Sequence, residues 1–120
     1  MFKLNRKTVL AIEALGWNVS EYEDYVEFCN CSPAGEDLCE EYAKDEDILD
    51  WALELANNFD ADEHIEMWIS ARRSGVSGVP STRELVADAD EIQKMYDALC
   101  DAIRENCVAE EDIEEDEEEY

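Results

Sequence analysis

Five cysteines and one histidine are the residues of this chain best suited to reactive chemistry. Cys29, Cys31, Cys39 and His64 carry the donor types of a structural zinc site, three thiolates and an imidazole. Their spacing is not that of such sites, which favour cysteine pairs separated by two residues. The three cysteines therefore read as small, semi-buried apolar residues. A Cys–His nucleophile would need His64 beside an activated thiol. The run Asp60-Ala61-Asp62-Glu63-His64 reads instead as the opening turn of a helix, where acids suit the positive end of the helix dipole. Gly75-Val76-Ser77-Gly78 lacks the lysine and the preceding strand of a phosphate loop, and reads as a helix–helix connection. No segment has the alternating oxygen ligands, central glycine and terminal glutamate of a calcium loop. The expectation is a protein with no catalytic residues, no metal and no cofactor, and so not an enzyme.

Carboxylates are the functional groups that remain. The chain carries 34 acids against 9 bases, a formal charge of −25 in 120 residues. Residues 108–120 hold nine of the acids and no base, leaving a formal −16 on residues 1–107. Solubility in a small domain needs a net charge of only about 2–8 in magnitude. The acids also cluster. Residues 8–43 contain no lysine or arginine but include Glu13, Glu21, Glu23, Asp24, Glu27, Glu36, Asp37, Glu40 and Glu41. Asp45, Glu46, Asp47, Asp50 and Glu54 continue the region. Apart from Glu13, these residues make up the candidate partner-binding face. Such a face repels nucleic acid and anionic membrane, and attracts proteins whose grooves are lined with Lys and Arg to hold DNA.

The elements that must position these groups follow from periodicity. Residues 3–15 carry roughly one helical stripe (Leu4, Val9, Leu10, Ile12, Leu15), closed by Gly16. Their apolar run is interrupted by Glu13 and reads as an amphipathic helix rather than a secretory leader. Residues 17–42 are rich in β-formers, and Val26 and Phe28 alternate with Tyr25, Glu27 and Cys29. Ser32-Pro33-Ala34-Gly35 is a turn signal. Three antiparallel strands are predicted, at about 17–21, 25–31 and 37–42. Helices follow at 46–57, at 60–74 with Asp60 as cap, and at 81–105 with Ser81 and Glu84 in capping-box spacing. The middle one is expected to bury Ala61, Ile65, Trp68 and Ile69, with His64 at its surface or boundary.

The expected fold is α+β, with an N-terminal helix, a small three-stranded antiparallel sheet and three helices in one domain, 1–107. An acidic tail, 108–120, is expected to be solvated and disordered. No run of 18 apolar residues exists, so no transmembrane helix is predicted. The odd cysteine count matches no common disulfide scaffold and points to free thiols in a reducing cytoplasm.

Two stretches, SPAGED (32–37) and FDADEHIEMWISARRSGVSGVPSTRELVADADEIQKM (59–95), resemble small acidic proteins found on phages and conjugative elements of gut Firmicutes. The resemblance covers about residues 15–103. It implies a mobile-element accessory protein in the cytoplasm of a bacterial host and carries over no catalytic residues. Small acidic proteins of that setting are similar in character to antirestriction and anti-CRISPR proteins, many of which mimic DNA. The functional expectation is a non-enzymatic DNA-mimic inhibitor of a defence nuclease. The alternative is a generic acidic interaction module with no defence role, favoured if Trp17, Trp51 and Trp68 lie exposed together.

Overall fold

The alternating segment Tyr25–Cys31 is the central strand of a sheet, as its period implies. The computed structural model describes residues 1–109. In chain order they form β1 (Phe2–Lys3), α1 (Arg6–Ala14), β2 (Asn18–Glu21), β3 (Tyr25–Cys31), β4 (Asp37–Ala43), α2 (Ile48–Asn58), α3 (Ala61–Arg73), α4 (Thr82–Asn106) and β5 (Val108–Ala109). The class is the expected α+β, with four helices and an antiparallel sheet ordered β2-β3-β4. The element order differs from expectation. A two-residue strand precedes the first helix, and it pairs antiparallel with β5 after the last. Val108 and Ala109 thus pair with the folded body, and the rest of the expected tail lies outside the described residues.

α4 is the spine. Leu85, Ala89, Ile92, Tyr96, Leu99 and Ile103 recur at three- and four-residue steps and are all buried. Against Ile92, Tyr96, Leu99 and Ile103 pack Val9 and Ile12 of α1, Ile48 and Ala52 of α2, and the inward face of the sheet, Val26, Phe28, Leu38 and Tyr42. Leu10 and Leu15 of the expected α1 stripe instead face solvent, because the helix meets the core along one narrow edge. Full burial of one such large apolar side chain is worth about 1.5–3 kcal/mol. Trp17 lies beneath Tyr96 with ring centroids 6.1 Å apart. α3 departs from expectation. Ala61, Ile65, Trp68 and Ile69 are only half-buried, and the buried side chain is His64. Among the described residues no helix is long and apolar enough to cross a membrane.

Three polar groups fix how the parts meet. Asn5 caps α1, accepting from the Thr8 N–H at 2.8 Å, and its amide donates to the Asn106 carbonyl at the far end of α4. Asp47 caps α2 through the N–H groups of Leu49 and Asp50, and also accepts from the Phe2 N–H at 2.9 Å. Asp88, buried in α4, accepts from the Ala34 N–H at 2.9 Å and from the Ser32 hydroxyl at 3.0 Å. The hairpin between β3 and β4 is thereby fastened to the spine. Gly35, at φ 95°, supplies the left-handed residue that lets the hairpin turn there.

Two predictions follow from these contacts. Asp88→Ala orphans two donors at once and should cost about 2–3 kcal/mol in urea unfolding, with Asp88→Asn costing less. Burial raises the Asp47 carboxyl, but three backbone N–H donors and the N-terminal ammonium outweigh it and hold the group below the usual carboxylate range. A lowered folded value means that the stabilisation is complete above about pH 4–5 and is lost as pH falls through that value. Asp47→Ala should therefore cost about 1 kcal/mol at neutral pH, with the difference from wild type shrinking in acid.

Candidate functional site

Strand parity sorts the acidic region into two faces. Along β3, Val26 and Phe28 point into the core, so Tyr25, Glu27, Cys29 and Cys31 point away from it. The register sets Glu27 directly opposite Glu41 and Cys31 opposite Asp37, which places Glu41 and Asp37 on the same outward face. Cys29 and Cys39 lie between them with Cα atoms 4.2 Å apart, the spacing of a pair that exchanges no backbone hydrogen bonds. Glu27 and Glu41, two residues along, belong to the same class, in which opposing side chains are closest.

Tyr22 stacks on Tyr25 at 4.7 Å at one end of this face, beside the exposed turn residues Glu23 and Asp24. The Tyr25 hydroxyl is raised above its ordinary value by desolvation first, and then by Glu41, Tyr22 and Glu27. None of the ion pairs among the described residues uses Glu23, Asp24, Glu27, Asp37 or Glu41.

The other expected members of the face are placed elsewhere. Glu40 shares its parity with Leu38 and Tyr42, points inward, and accepts from the Tyr96 hydroxyl at 2.8 Å. Burial and then that bond hold the Tyr96 hydroxyl well above the usual tyrosine value. Glu36 is half-buried in the turn, where its N–H donates to Ser32 Oγ. Asp47 is committed to its cap and to β1. Glu21, at the sheet edge, pairs with Lys44 at 2.7 Å. Asp45 and Glu46 are exposed in the turn before α2, Asp50 in its first turn, and Glu54 further along it. The surviving face is therefore narrower than expected and centres on Glu23, Asp24, Glu27, Asp37 and Glu41.

The expectation of free thiols fails at Cys29 and Cys39, which form a disulfide across β3 and β4. Facing positions in the register bring them together. With that bond, two of the four donors considered for zinc are used. Burial raises the thiols of Cys100 and Cys107, which makes each a poorer nucleophile at neutral pH.

Ser32, Asp88 and His64 do cluster, a grouping that sequence spacing gave no hint of. His64 Nε2 lies 3.6 Å from Asp88 Oδ2, beyond hydrogen-bond range, and has no other partner among the described residues. A nucleophilic serine hands its proton to the histidine, with the acid behind. Here the serine donates to the acid, so the cluster fastens the hairpin instead.

Compared with protein-family models, curated proteins and solved structures, the chain matches none.

Like charges directly opposite each other in a sheet destabilise it. Glu41→Gln should therefore raise stability by roughly 0.2–1 kcal/mol at low ionic strength, and the gain should shrink as salt is added. Urea titrations at two salt concentrations check this, and no gain in either would mean that the two carboxylates splay apart.

Proposed function

We propose that this chain is a non-enzymatic inhibitor that binds the basic nucleic-acid groove of a bacterial defence nuclease, with its outward sheet face standing in for DNA. The observation that supports this reading most is the Glu27–Glu41 pair, set side by side on a face whose carboxylates form no ion pair with a described base. The arrangement costs stability where it stands, and a partner's Lys and Arg would turn that cost into attraction.

Sheet geometry supplies the spacing. Neighbouring strands lie about 4.7–4.9 Å apart, and same-face residues along one strand are about 7 Å apart. Glu27 and Glu41 thus sit side by side, Asp37 lies two same-face steps (about 13 Å) along β4 with Cys39 between, and the turn acids Glu23 and Asp24 lie beyond the other end of the pair. B-DNA carries one charge per about 1.7 Å of axis, so the face offers fewer charges than a duplex of equal length. The overall field adds to it at longer range by steering encounter. A groove filled in this way excludes the nucleic acid.

The alternative reading asked for tryptophans exposed together. Trp17 is buried, and Trp51 and Trp68 are half-buried, so that condition is not met.

The test is cleavage of duplex DNA by RNA-guided nucleases and restriction enzymes in the presence of the full chain. Inhibition of at least one is expected, weakening steeply as salt rises. Glu23→Lys, Asp24→Lys, Glu27→Lys and Glu41→Lys combined should reduce it about tenfold or more while circular dichroism reports an intact fold. A folded variant that inhibits as well as wild type would exclude this face.

A further inference from the structure

On the helical side of the molecule, away from the outward sheet face, a cleft of about 440 Å³ opens between the inner side of β4 and helices α2, α3 and α4. Its volume falls within the range of about 300–1,000 Å³ typical of ligand sites. Its apolar surface comes from Trp51, Leu55, Phe59, Met67 and Tyr96. The Phe59 and Tyr96 rings pack at 5.7 Å, and the Tyr96 hydroxyl is held by Glu40, so this wall is fixed in place. Met67, 58% exposed, adds a flexible apolar side chain to the mouth of the cleft, contiguous with the Phe59 wall.

Acids dominate the charge around the cleft. Glu40, Glu54, Asp60 and Glu63 line it, no lysine or arginine does, and its one basic side chain is the buried His64. Glu40 and Asp60 are used internally, by the Tyr96 hydroxyl and by the Glu63 N–H. Glu54 and Glu63 are exposed and enter none of the ion pairs among the described residues.

We infer that this cleft docks a basic amphipathic helical segment of a partner protein, with apolar residues against Phe59 and Met67 and an arginine or lysine reaching Glu54 and Glu63. Charge complementarity selects this occupant. Residues 110–120 of the same chain carry nine acids and no base, and a second copy brings another −25, so both are repelled. An apolar segment without cations leaves the rim carboxylates unmatched, and a cationic one without apolar residues leaves Met67 uncovered. A helix answers both needs, because residues three and four apart share one face. A cation seated near Trp51 also gains from the negative face of the indole. This proposal does not rest on DNA mimicry and uses a different surface.

The probe is a fluorescein-labelled helical peptide with leucine and arginine at four-residue spacing, titrated into the full chain and followed by anisotropy. Two control peptides replace every leucine by serine or every arginine by glutamine. The parent peptide should bind about tenfold or more tighter than either control. Glu54→Lys with Glu63→Lys should weaken parent binding about tenfold, and Glu27→Lys with Glu41→Lys should leave it unchanged. Glu54 and Glu63 are exposed, so their reversal leaves the core intact, which circular dichroism checks. Equal binding of the leucine-to-serine peptide would reduce the cleft to a generic polyanion and overturn the proposal. So would insensitivity to the Glu54 and Glu63 reversals, or an equal loss on reversing Glu27 and Glu41.

Discussion

Burial of one helix stripe holds this chain together against its own charge. α4 supplies the apolar residues that α1, α2, the sheet and the aromatic rings cover. A formal −25 opposes that packing. The repulsion is local rather than global, because exposed charges separated by more than about 8 Å are largely screened at physiological salt. Acids on opposite sides of the molecule therefore disturb each other little, and neighbours on one face disturb each other most. Among the described strand pairings, Glu27 and Glu41 are the only two acids set directly opposite each other. The core tolerates their repulsion because large buried side chains each contribute about 1.5–3 kcal/mol, against a few tenths to about 1 kcal/mol for the pair.

The polar contacts at the ends of the elements decide which way the acids point. Asp88 fastens the turn between β3 and β4 to the spine, and the hairpin register follows from that turn. Register then assigns each side chain to a face, because a slip of one residue would exchange the two sets. Glu40 goes in to meet Tyr96, and Glu41 goes out to meet Glu27. One dipeptide thus contributes to both surfaces of the molecule, the outward acidic lattice and the acid-rimmed cleft.

Much of the fold is legible in the sequence, because its signals are local. The alternation of Val26 and Phe28 marks β3, and Asp60 and Ser81 sit where the helices they cap begin. The pairing of β1 with β5 has no local signal, since two-residue strands at opposite ends of the described chain meet only through tertiary packing. The parity of Glu40 was readable from Leu38 and Tyr42, its neighbours at a period of two. The Cys29–Cys39 bond was readable too, since a hairpin turning about Ala34 makes residues at a separation of 10 face each other. Reading the cysteines by spacing motifs alone hid it. The burial of His64 in place of Ile65 depends on how α3 meets α4 and Phe59, which the acid-rich sequence of α3 does not encode.

Two surfaces of one sign but different chemistry emerge. The sheet face is an open array of carboxylates with a tyrosine stack at its end, and it is the face proposed to enter a groove built for phosphates. The cleft adds apolar depth to a similar charge. The central claim is that the sheet face occupies the place of DNA, and competition tests it most directly. Any defence nuclease that the cleavage assay finds inhibited is first saturated with duplex DNA that it cannot cleave, and binding of the chain is then measured. Occupied grooves should block the chain in proportion to the DNA bound. Equal binding to the free and DNA-loaded nuclease would contradict the account.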